Sequence, residues 1–469
     1  ELKQAFELRD PGFRYQWHLY NAESRHDINV TGVWEQGING TGVNVAIIDD
    51  GLDMDSEDLA PNFFKEGSWD FNDHTALPKP RLVDDNHGTR CAGEIAAAKN
   101  DLCGVGVAFG AKVAGIRILS GQITDAEEAA ALNYQFQQNH VYSCSWGPPD
   151  DGRSMDAPRG VVYDAIVNGI KNGRGGLGSI YVFATGNGAS QDDNCNFDGY
   201  ANSLYTVSIG AIDHTQGYPY YSEPCSAQLA VTYSNGAGKA IYTCDVGKRR
   251  CFEHHGGTSA AAPIAAGMIA LVLSMRPDLS WRDVQYLLMD TATPVSVSDP
   301  DWEKTHAGRL FNHKFGYGSL DAYKLVEAAK AFQSLRPQTF FYPPTVIVQK
   351  PIPQDGKGIS SMIKVSKAEL KAKGAQLGML EHVTVTVNIE HGRRGDVEVT
   401  LTSPHQIESR LGTRRQFDNA TTGFANWTFM TVKHWGEDPV GNWSLVVRDQ
   451  NNSDFKGKLI DWRIKLWGE

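Results

Sequence analysis

From Ala260 to Met275 the chain is apolar on every side, with only Ser274 interrupting it. A helix that is apolar all round has to be buried, so the fold must be built around this segment. The run follows directly on Gly256-Gly257-Thr258-Ser259, and Pro263 is expected in its first turn, where a missing N–H costs little. Ser259 then stands at a helix N-terminus, where free N–H groups and the helix dipole favour negative charge. A serine held there can attack a carbonyl while its own N–H helps to hold the oxyanion. Helix-capping serines are commoner than nucleophilic ones, so the choice rests on finding a base and an acid.

Gly42-Val-Asn-Val-Ala-Ile-Ile-Asp49 is a near-continuous apolar run, the mark of a strand buried on both faces. It ends in Asp49-Asp50-Gly51, and in open α/β sheets ligands bind beyond the carboxyl ends of the strands. A plain Asp-Gly turn is the alternative. His87 lies in the polar loop Asp84-Asp85-Asn86-His87-Gly88 that leads into a helical pattern through Ala98. The order Asp49, His87, Ser259 is one in which a nucleophilic triad occurs. Ile180 to Gly188 reads as another buried strand with Asn187 at its carboxyl end, where a side-chain NH2 can meet an oxyanion. Thr124 to Gln138 reads as a helix with a capping box from Thr124 to Glu127. Strands alternating with helices up to Phe332 mean a parallel sheet with helices on both faces. Residues 1 to 40 have no regular period and are expected to wrap the surface.

After Arg336 the period changes to two. The runs His382–Ile389, Val397–Thr402, Trp427–Val432, Trp443–Val447 and Trp462–Leu466 alternate as strands, which predicts a β-sandwich behind a Pro-rich aromatic connector. Such sandwiches also bind sugars, the alternative role for this part.

At 469 residues the chain exceeds what one core usually serves. Its net charge of −11 argues against a nucleic-acid surface and suits cationic substrates. Seven cysteines, with no CxxC pair and no zinc spacing, fit a few disulfides plus free thiols. N-x-S/T sequons begin at Asn29, Asn39, Asn419, Asn426, Asn442 and Asn451, which suggests a secretory route, although sequons also arise by chance. No signal peptide opens the sequence, and the apolar run after Ser259 is too short to span a bilayer. The expectation is a mature, soluble piece of a secretory-pathway protein, with any pro-segment or anchor outside it.

The segments VAIIDDG, DDNHGTRCAGEIAA, SCSWGP, FATGNG and HGGTSAAAP resemble the subtilisin-like proprotein convertases. GSWDFND, LPKPRL and GIRILSG look most like the kexin branch of that kexin/furin family, and the resemblance runs along essentially the whole chain. It implies a serine endopeptidase with Asp49, His87 and Ser259 as triad and Asn187 as oxyanion donor. It further implies cleavage of precursor proteins after Lys-Arg or Arg-Arg. Asp150 and Asp198 match the acids for the P1 side chain, Asp50 and Asp84 those for P2, and Glu128 and Asp156 those toward P4. A buried carboxylate left unpaired by a neutral side chain rejects wrong substrates. Ser145-Trp146-Gly147 is the expected strand pairing with the substrate backbone.

Calcium is also implied by the resemblance. Asp150, Asp193 and Glu223 match a site beneath the P1 pocket. Asp10, Asp58 and Asn100, with backbone carbonyls at Ala97, Leu102 and Gly104, resemble a second. Crowded carboxylates raise one another's pKa unless a cation intervenes, and hard oxygen ligands suit calcium. The resemblance pairs Cys103 with Cys251 and Cys195 with Cys225, makes Cys91 a free thiol, and leaves Cys144 and Cys244 open. It implies a subtilisin-like α/β catalytic domain over 1–335 and a jelly-roll-like all-β P domain over 336–469. It also implies inhibition by the protein's own pro-segment, a late Golgi lumen location, a monomer, and membrane attachment only through an anchor outside this sequence. Two rivals stand beside this reading: a broad-specificity secreted subtilisin lacking the acidic subsites, and a non-catalytic binding protein on a protease scaffold.

Overall fold

The apolar runs become the strands of a parallel sheet whose middle is buried on both faces. The structure, a computed structural model, describes residues 6–450 and 452–469. After a single helical turn, α1 (Thr31–Trp34), the sheet comprises β1 (Asn44–Asp49), β2 (Trp69–Asp70), β3 (Lys112–Arg117), β4 (Val141–Cys144), β5 (Ile180–Ala184), β6 (Thr206–Ile212) and β7 (Ala230–Tyr233). Their order is β2-β3-β1-β4-β5-β6-β7, and every pair is parallel. Parallel neighbours need crossovers, which α2 (His87–Ala96), α3 (Asp125–Leu132) and α4 (Val161–Asn172) supply. β1, β4 and β5 are adjacent, so Asp49, Ser145 and Asn187 all leave the same carboxyl edge.

A hairpin of β8 (Ile241–Cys244) and β9 (Cys251–His255) delivers the chain to α5 (Thr258–Met275), and α6 (Trp281–Thr291) follows. A small hairpin of β10 (Glu303–Lys304) and β11 (Leu310–Phe311) precedes α7 (Ala322–Lys330). α5 packs against β4, β5, β6, β7 and α2, as an all-apolar helix must. At Gly267 an added Cβ would lie 2.8 Å from Val107 Cβ, so the close approach of that neighbour requires glycine. By length and composition α5 passes as a membrane span, with a mean hydropathy of 1.7, contrary to the expectation from the shorter apolar run. Its 89% burial inside the protein identifies it as a core helix.

Pro263 lies in the second turn of α5, not the first, because the helix already begins at Thr258. Its missing N–H leaves the Ser259 carbonyl without an intrahelical donor. That carbonyl accepts instead from Ser145 Oγ at 3.1 Å and Cys91 Sγ at 3.5 Å. The proline thus frees an acceptor through which the end of β4 and α2 both hold the start of α5.

The C-terminal part is two antiparallel sheets. β12 (Thr339–Phe341), β13 (Val346–Pro351), β14 (Ile359–Val365), a short α8 (Lys367–Ala372), β15 (Leu380–His391), β16 (Val397–Thr402), β17 (Glu408–Gly412), β18 (Phe424–Thr431), β19 (Gly441–Asp449) and β20 (Gly457–Gly468) follow in order. One sheet runs β12-β20-β15-β18, with β13 also pairing β20; the other runs β14-β19-β16-β17. Trp443 and Trp462 are fully buried between them. Met430, Val432 and Trp435 join the core of the preceding α/β unit, and Phe197 joins the core of the sandwich. The two units therefore share side chains across their junction.

Several elements differ from the sequence-based expectation. Phe13, Trp17, Leu19, Ile28, Val30, Val33 and Trp34 are buried in the main core, so the N-terminal segment is inserted rather than wrapped over the surface. α3 has its capping box but ends at Leu132, where turns take over and Gln135 adopts φ +50°. Residues 339–341 of the connector pair with β20 as a strand. β13, β14 and β17 were not legible because they lie at sheet margins, where polar and lysine side chains break the alternation.

Candidate active site

Asp49 is the last residue of β1 and His87 the first of α2. His87 Nδ1 lies 2.8 Å from Asp49 Oδ2 and 3.0 Å from Oδ1. With Nδ1 carrying the proton toward this buried carboxylate, Nε2 is left as acceptor on the open side. Asp50 lies beneath the same helix start: its carboxylate accepts from the N–H groups of His87 at 3.1 Å and Gly88 at 2.8 Å. Gly88 has no room for a side chain, since a Cβ would lie 2.2 Å from the Gly51 carbonyl oxygen. Burial would lower the His87 imidazole, but the charge and hydrogen bond of Asp49, with the charge of Asp50, outweigh it and raise the pKa to about 9. Burial and the Asp49 charge raise Asp50 to about 7 against those two N–H groups.

Ser259 is the second residue of α5, delivered by Gly257 at φ +73°. Its Oγ donates to the Ser145 carbonyl at 3.4 Å, and no hydrogen bond joins it to His87 in this state. Such contacts commonly tighten only when substrate is bound. At the end of β5, Asn187 Oδ1 accepts from Thr258 N–H and Oγ1, both at 2.8 Å. Its oxygen is thereby occupied and its NH2 left over beside Gly257. Trp146 Nε1 donates to the Ile48 carbonyl at 2.8 Å, and its ring stands edge-on to Phe183 and Tyr200. These contacts fix Ser145-Trp146-Gly147 as the rim beyond β4, with Gly147 exposed.

The acids fall into three groups. Ligand oxygens of Asp150, Asp193 and Glu223 lie within 4.8 Å of one another. Burial, then the charges of Asp193 and Asp150, push Glu223 well up. Asp198 is partly buried; burial raises it to about 8, with Asp150 and Asp193 adding to the rise, against the N–H groups of Tyr200 and Ala201. Asp156 bridges to Asp198 through the backbone, and Glu128 accepts from the Tyr200 hydroxyl at 2.6 Å. Burial raises Glu128, with Asp156 among the charges that add to it. Asp84 is exposed on the loop before His87. Asp50 and Asp84 are thus unlike: one caps α2, the other is free to meet a ligand.

Away from this cleft, Asn100 N–H donates to both oxygens of Asp10, at 3.1 and 3.2 Å, and Asn100 Nδ2 donates to Asp58 Oδ1 at 2.8 Å. Asn100 Oδ1 accepts from Leu102 N–H at 2.8 Å, and the Ala97 carbonyl accepts from Gly106 N–H at 2.9 Å. Gly104 packs against the Gln16 amide. Asp58 Oδ2 is buried without a partner, and burial raises the group to about 8. An orphaned buried oxygen beside a second aspartate suits a cation.

Both disulfides, Cys103–Cys251 and Cys195–Cys225, are formed, and Cys91, Cys144 and Cys244 are free and buried. Of the sequons, Asn451 lies outside the described residues.

Two features had no sequence signal. Arg415, fully buried, reaches from the sandwich to Asp193 Oδ1 at 3.1 Å, the Ser154 carbonyl at 2.9 Å and Asp418 at 2.6 Å, over the Phe197 ring. Behind His87, His255 Nε2 lies 2.9 Å from Glu94 and 3.7 Å from Cys91 Sγ. Burial drives Glu94 well up and His255 well down. Except for Asp418, three residues from Arg415, the partners are separated by more than a hundred residues, and only the fold joins them.

A model described as the subtilase family matches residues 40–318, and one described as the proprotein convertase P-domain matches residues 380–466. The dibasic-processing endoprotease of Schizosaccharomyces pombe is 49% identical over 476 residues, covering 100% of this chain and 67% of that protein. Kexin of Saccharomyces cerevisiae is 50% identical over 475 residues, covering 100% of this chain and 58% of that protein. The chain therefore spans about three fifths of the length of such relatives. The crystal structure of a serine protease of Aeromonas sobria has a TM-score of 0.87 at 24% identity, covering 98% of this chain and 96% of that one. That likeness shows a shared fold.

For a His87 that serves as the base toward Ser259, protonation removes the acceptor, so turnover is expected to fall as pH drops through its pKa. Asp50 is among the charges that raise that pKa, and asparagine keeps one of the two acceptors that Asp50 offers to the N–H groups of His87 and Gly88. In Asp50→Asn the acid limb of kcat/KM for a peptide substrate is expected to move to lower pH, while Asp84→Asn leaves it in place. An unmoved or upward-shifted limb in Asp50→Asn would show that the base does not sense this carboxylate.

Proposed function

Because the chain belongs to the subtilase family and carries a proprotein convertase P-domain, we propose that it is a calcium-dependent serine endoprotease that cleaves precursor proteins after Lys-Arg and Arg-Arg. The observation that carries this reading is the Asp49–His87 pair facing the start of α5, where Ser259 and the spare NH2 of Asn187 meet. Ser259 Oγ attacks the scissile carbonyl while His87 Nε2 accepts its proton. The developing oxyanion takes hydrogen bonds from Asn187 Nδ2 and the Ser259 N–H at the helix N-terminus. Asp49 holds the tautomer and stabilises the imidazolium, which returns its proton to the leaving amine. Water then repeats the sequence on the acyl-enzyme. A complete set of these groups speaks against a non-catalytic scaffold.

The acidic cleft supports the preference for basic residues. Asp150 and Asp198 lie near the rim at Gly147, Asp84 is exposed beside the base, and Glu128 and Asp156 lie beyond. A relative's name, dibasic-processing endoprotease, points the same way. Asp150, Asp193 and Glu223 would hold one calcium ion, and Asp10, Asp58 and Asn100 with the carbonyls of Ala97, Leu102 and Gly104 a second. The bound cation supplies the charge compensation that keeps the crowded carboxylates ionised. We assign 1–335 as the catalytic unit and 336–469 as the P domain. The reading extends to a monomer in the secretory pathway, in the late Golgi lumen, inhibited by its own pro-segment.

Two outcomes test it. Exhaustive chelation should abolish activity, and calcium should restore it better than magnesium, whose smaller octahedral shell suits this site poorly. Full activity in metal-free protein, verified by elemental analysis, would remove the ion from the account. Replacing the exposed Asp84 by asparagine should lower kcat/KM for Lys-Arg peptides more than for Ala-Arg peptides. A charged hydrogen bond is worth roughly 1.5–3 kcal/mol, so the ratio should fall about ten- to hundredfold. A ratio at its wild-type value would mean that Asp84 does not read P2.

A further inference from the structure

A groove of about 1050 Å³ opens where the sandwich meets the α/β unit. This is just above the ~300–1,000 Å³ range of ligand pockets. Its floor is the outer face of the β12-β20-β15-β18 sheet, where Phe340 faces Trp467 and Thr386 faces both Arg463 and Thr428. The connector at Tyr342–Thr345 forms one wall; the start of α4 and the Ser203–Tyr205 turn form the other. Phe340 and Tyr342 are 47% and 57% exposed, although they are large and apolar. Their rings stack at 6.1 Å and 14°, Trp467 lies 5.5 Å from Phe340, and Lys465 Nζ sits 4.1–5.5 Å above all three. A contiguous exposed aromatic surface is a recognition feature, unlike a scatter of single apolar residues.

Asn426 stands on the rim of this groove and opens the sequon Asn426-Trp427-Thr428. Its backbone is left-handed, at φ +47°, where the β15–β18 register shifts. Its Oδ1 accepts from Asn388 Nδ2 at 3.1 Å and Arg463 at 3.3 Å. The amide oxygen is thereby held, while the exposed Nδ2, the atom modified in N-glycosylation, makes no hydrogen bond. At Asn29 the opposite holds: Nδ2 donates to both oxygens of Asp321, each at 3.2 Å.

We propose that Asn426 carries an N-linked glycan whose first sugars lie in this groove, stacked on the Phe340–Tyr342–Trp467 platform. The inference rests on the secretory route of the proposed function. Asn426 Nδ2 forms a bond to the anomeric carbon of a lipid-diphosphate-linked oligosaccharide. The bond from that carbon to the diphosphate oxygen breaks, the lipid diphosphate leaves with the electron pair, and Nδ2 gives up one proton. Nothing is oxidised or reduced. Trp427 is buried and Thr428 Oγ1 is bonded to Thr386 in the folded protein, so the transfer belongs to the unfolded chain. A pyranose ring offers a flat C–H face and a rim of hydroxyls. The aromatic platform takes the face; Arg463, Lys465 and the Thr384 and Thr386 hydroxyls take the rim. Lying there, the glycan touches the connector, the sandwich and α4 together, and fastens the junction from outside.

The test uses the chain secreted from a eukaryotic host, with glycopeptide mass spectrometry and endoglycosidase release followed site by site. Asn426 is expected to be occupied. Its glycan should be released from native protein about tenfold more slowly than those at the exposed Asn419 and Asn442, the factor that ~1.4 kcal/mol of groove contact produces. After denaturation the rates should converge. Phe340→Ala with Tyr342→Ala, both at exposed positions, should bring the native rate at Asn426 up to that of the other sites. An unmodified Asn426 beside occupied Asn419 or Asn442 would overturn this proposal and leave the secretory reading standing. Equal native release rates would overturn the groove. A secreted chain with no glycan at any sequon would overturn both readings.

Discussion

The structure depends on one helix that cannot be exposed. α5 is apolar on all sides, so the sheet and α2 must close around it, and its N-terminus must then emerge at the sheet edge where β1, β4 and β5 end. That requirement brings Ser259 to the neighbourhood of Asp49, Ser145 and Asn187 without a dedicated loop. Pro263 adds the detail that fixes the helix start. By withholding one N–H it offers the Ser259 carbonyl to Ser145 and Cys91, tying α5 to β4 and α2 at the point where the proposed nucleophile stands.

Charge is the second organising factor. Asp150, Asp193, Asp198 and Glu223 crowd one partly buried cleft, Asp50 lies beneath the start of α2, and burial is the leading cause of every resolved upward shift among them. Such a cleft is costly unless cations answer it. One answer is internal: Arg415 crosses from the sandwich to Asp193, so the second unit supplies a charge beneath the acidic cleft of the first. The shared cores, with Met430 and Trp435 in one and Phe197 in the other, make the same connection in apolar terms. The sandwich is therefore part of the structure of the cleft.

Much of this was legible in the sequence because it is local. Buried parallel strands read as apolar runs, the Thr124–Glu127 capping box is formed, and glycines mark the turns at Gly51 and Gly257. The order Asp49, His87, Ser259, and the quoted segments that resemble the convertases, pointed to the cleft before any geometry was known. What was not legible is what sequence spacing cannot carry. The buried N-terminal aromatics have no period because irregular backbone carries them. β13, β14 and β17 lie at sheet margins, where solvent rewards lysine and serine over alternation. The capping task of Asp50 depends on where α2 starts, and the reach of Arg415 to Asp193 depends on the docking of two units. Pro263 was placed one turn too early because Thr258 and Ser259 are themselves helical.

The central claim is that the start of α5 presents a nucleophile to a carbonyl. Rapid-quench mass spectrometry during turnover of a Lys-Arg ester measures this directly. The account predicts one acyl group per chain, carried by the peptide that contains Ser259 and lost as product forms. Acylation at another residue, or steady turnover with no acyl group on any peptide, would contradict it.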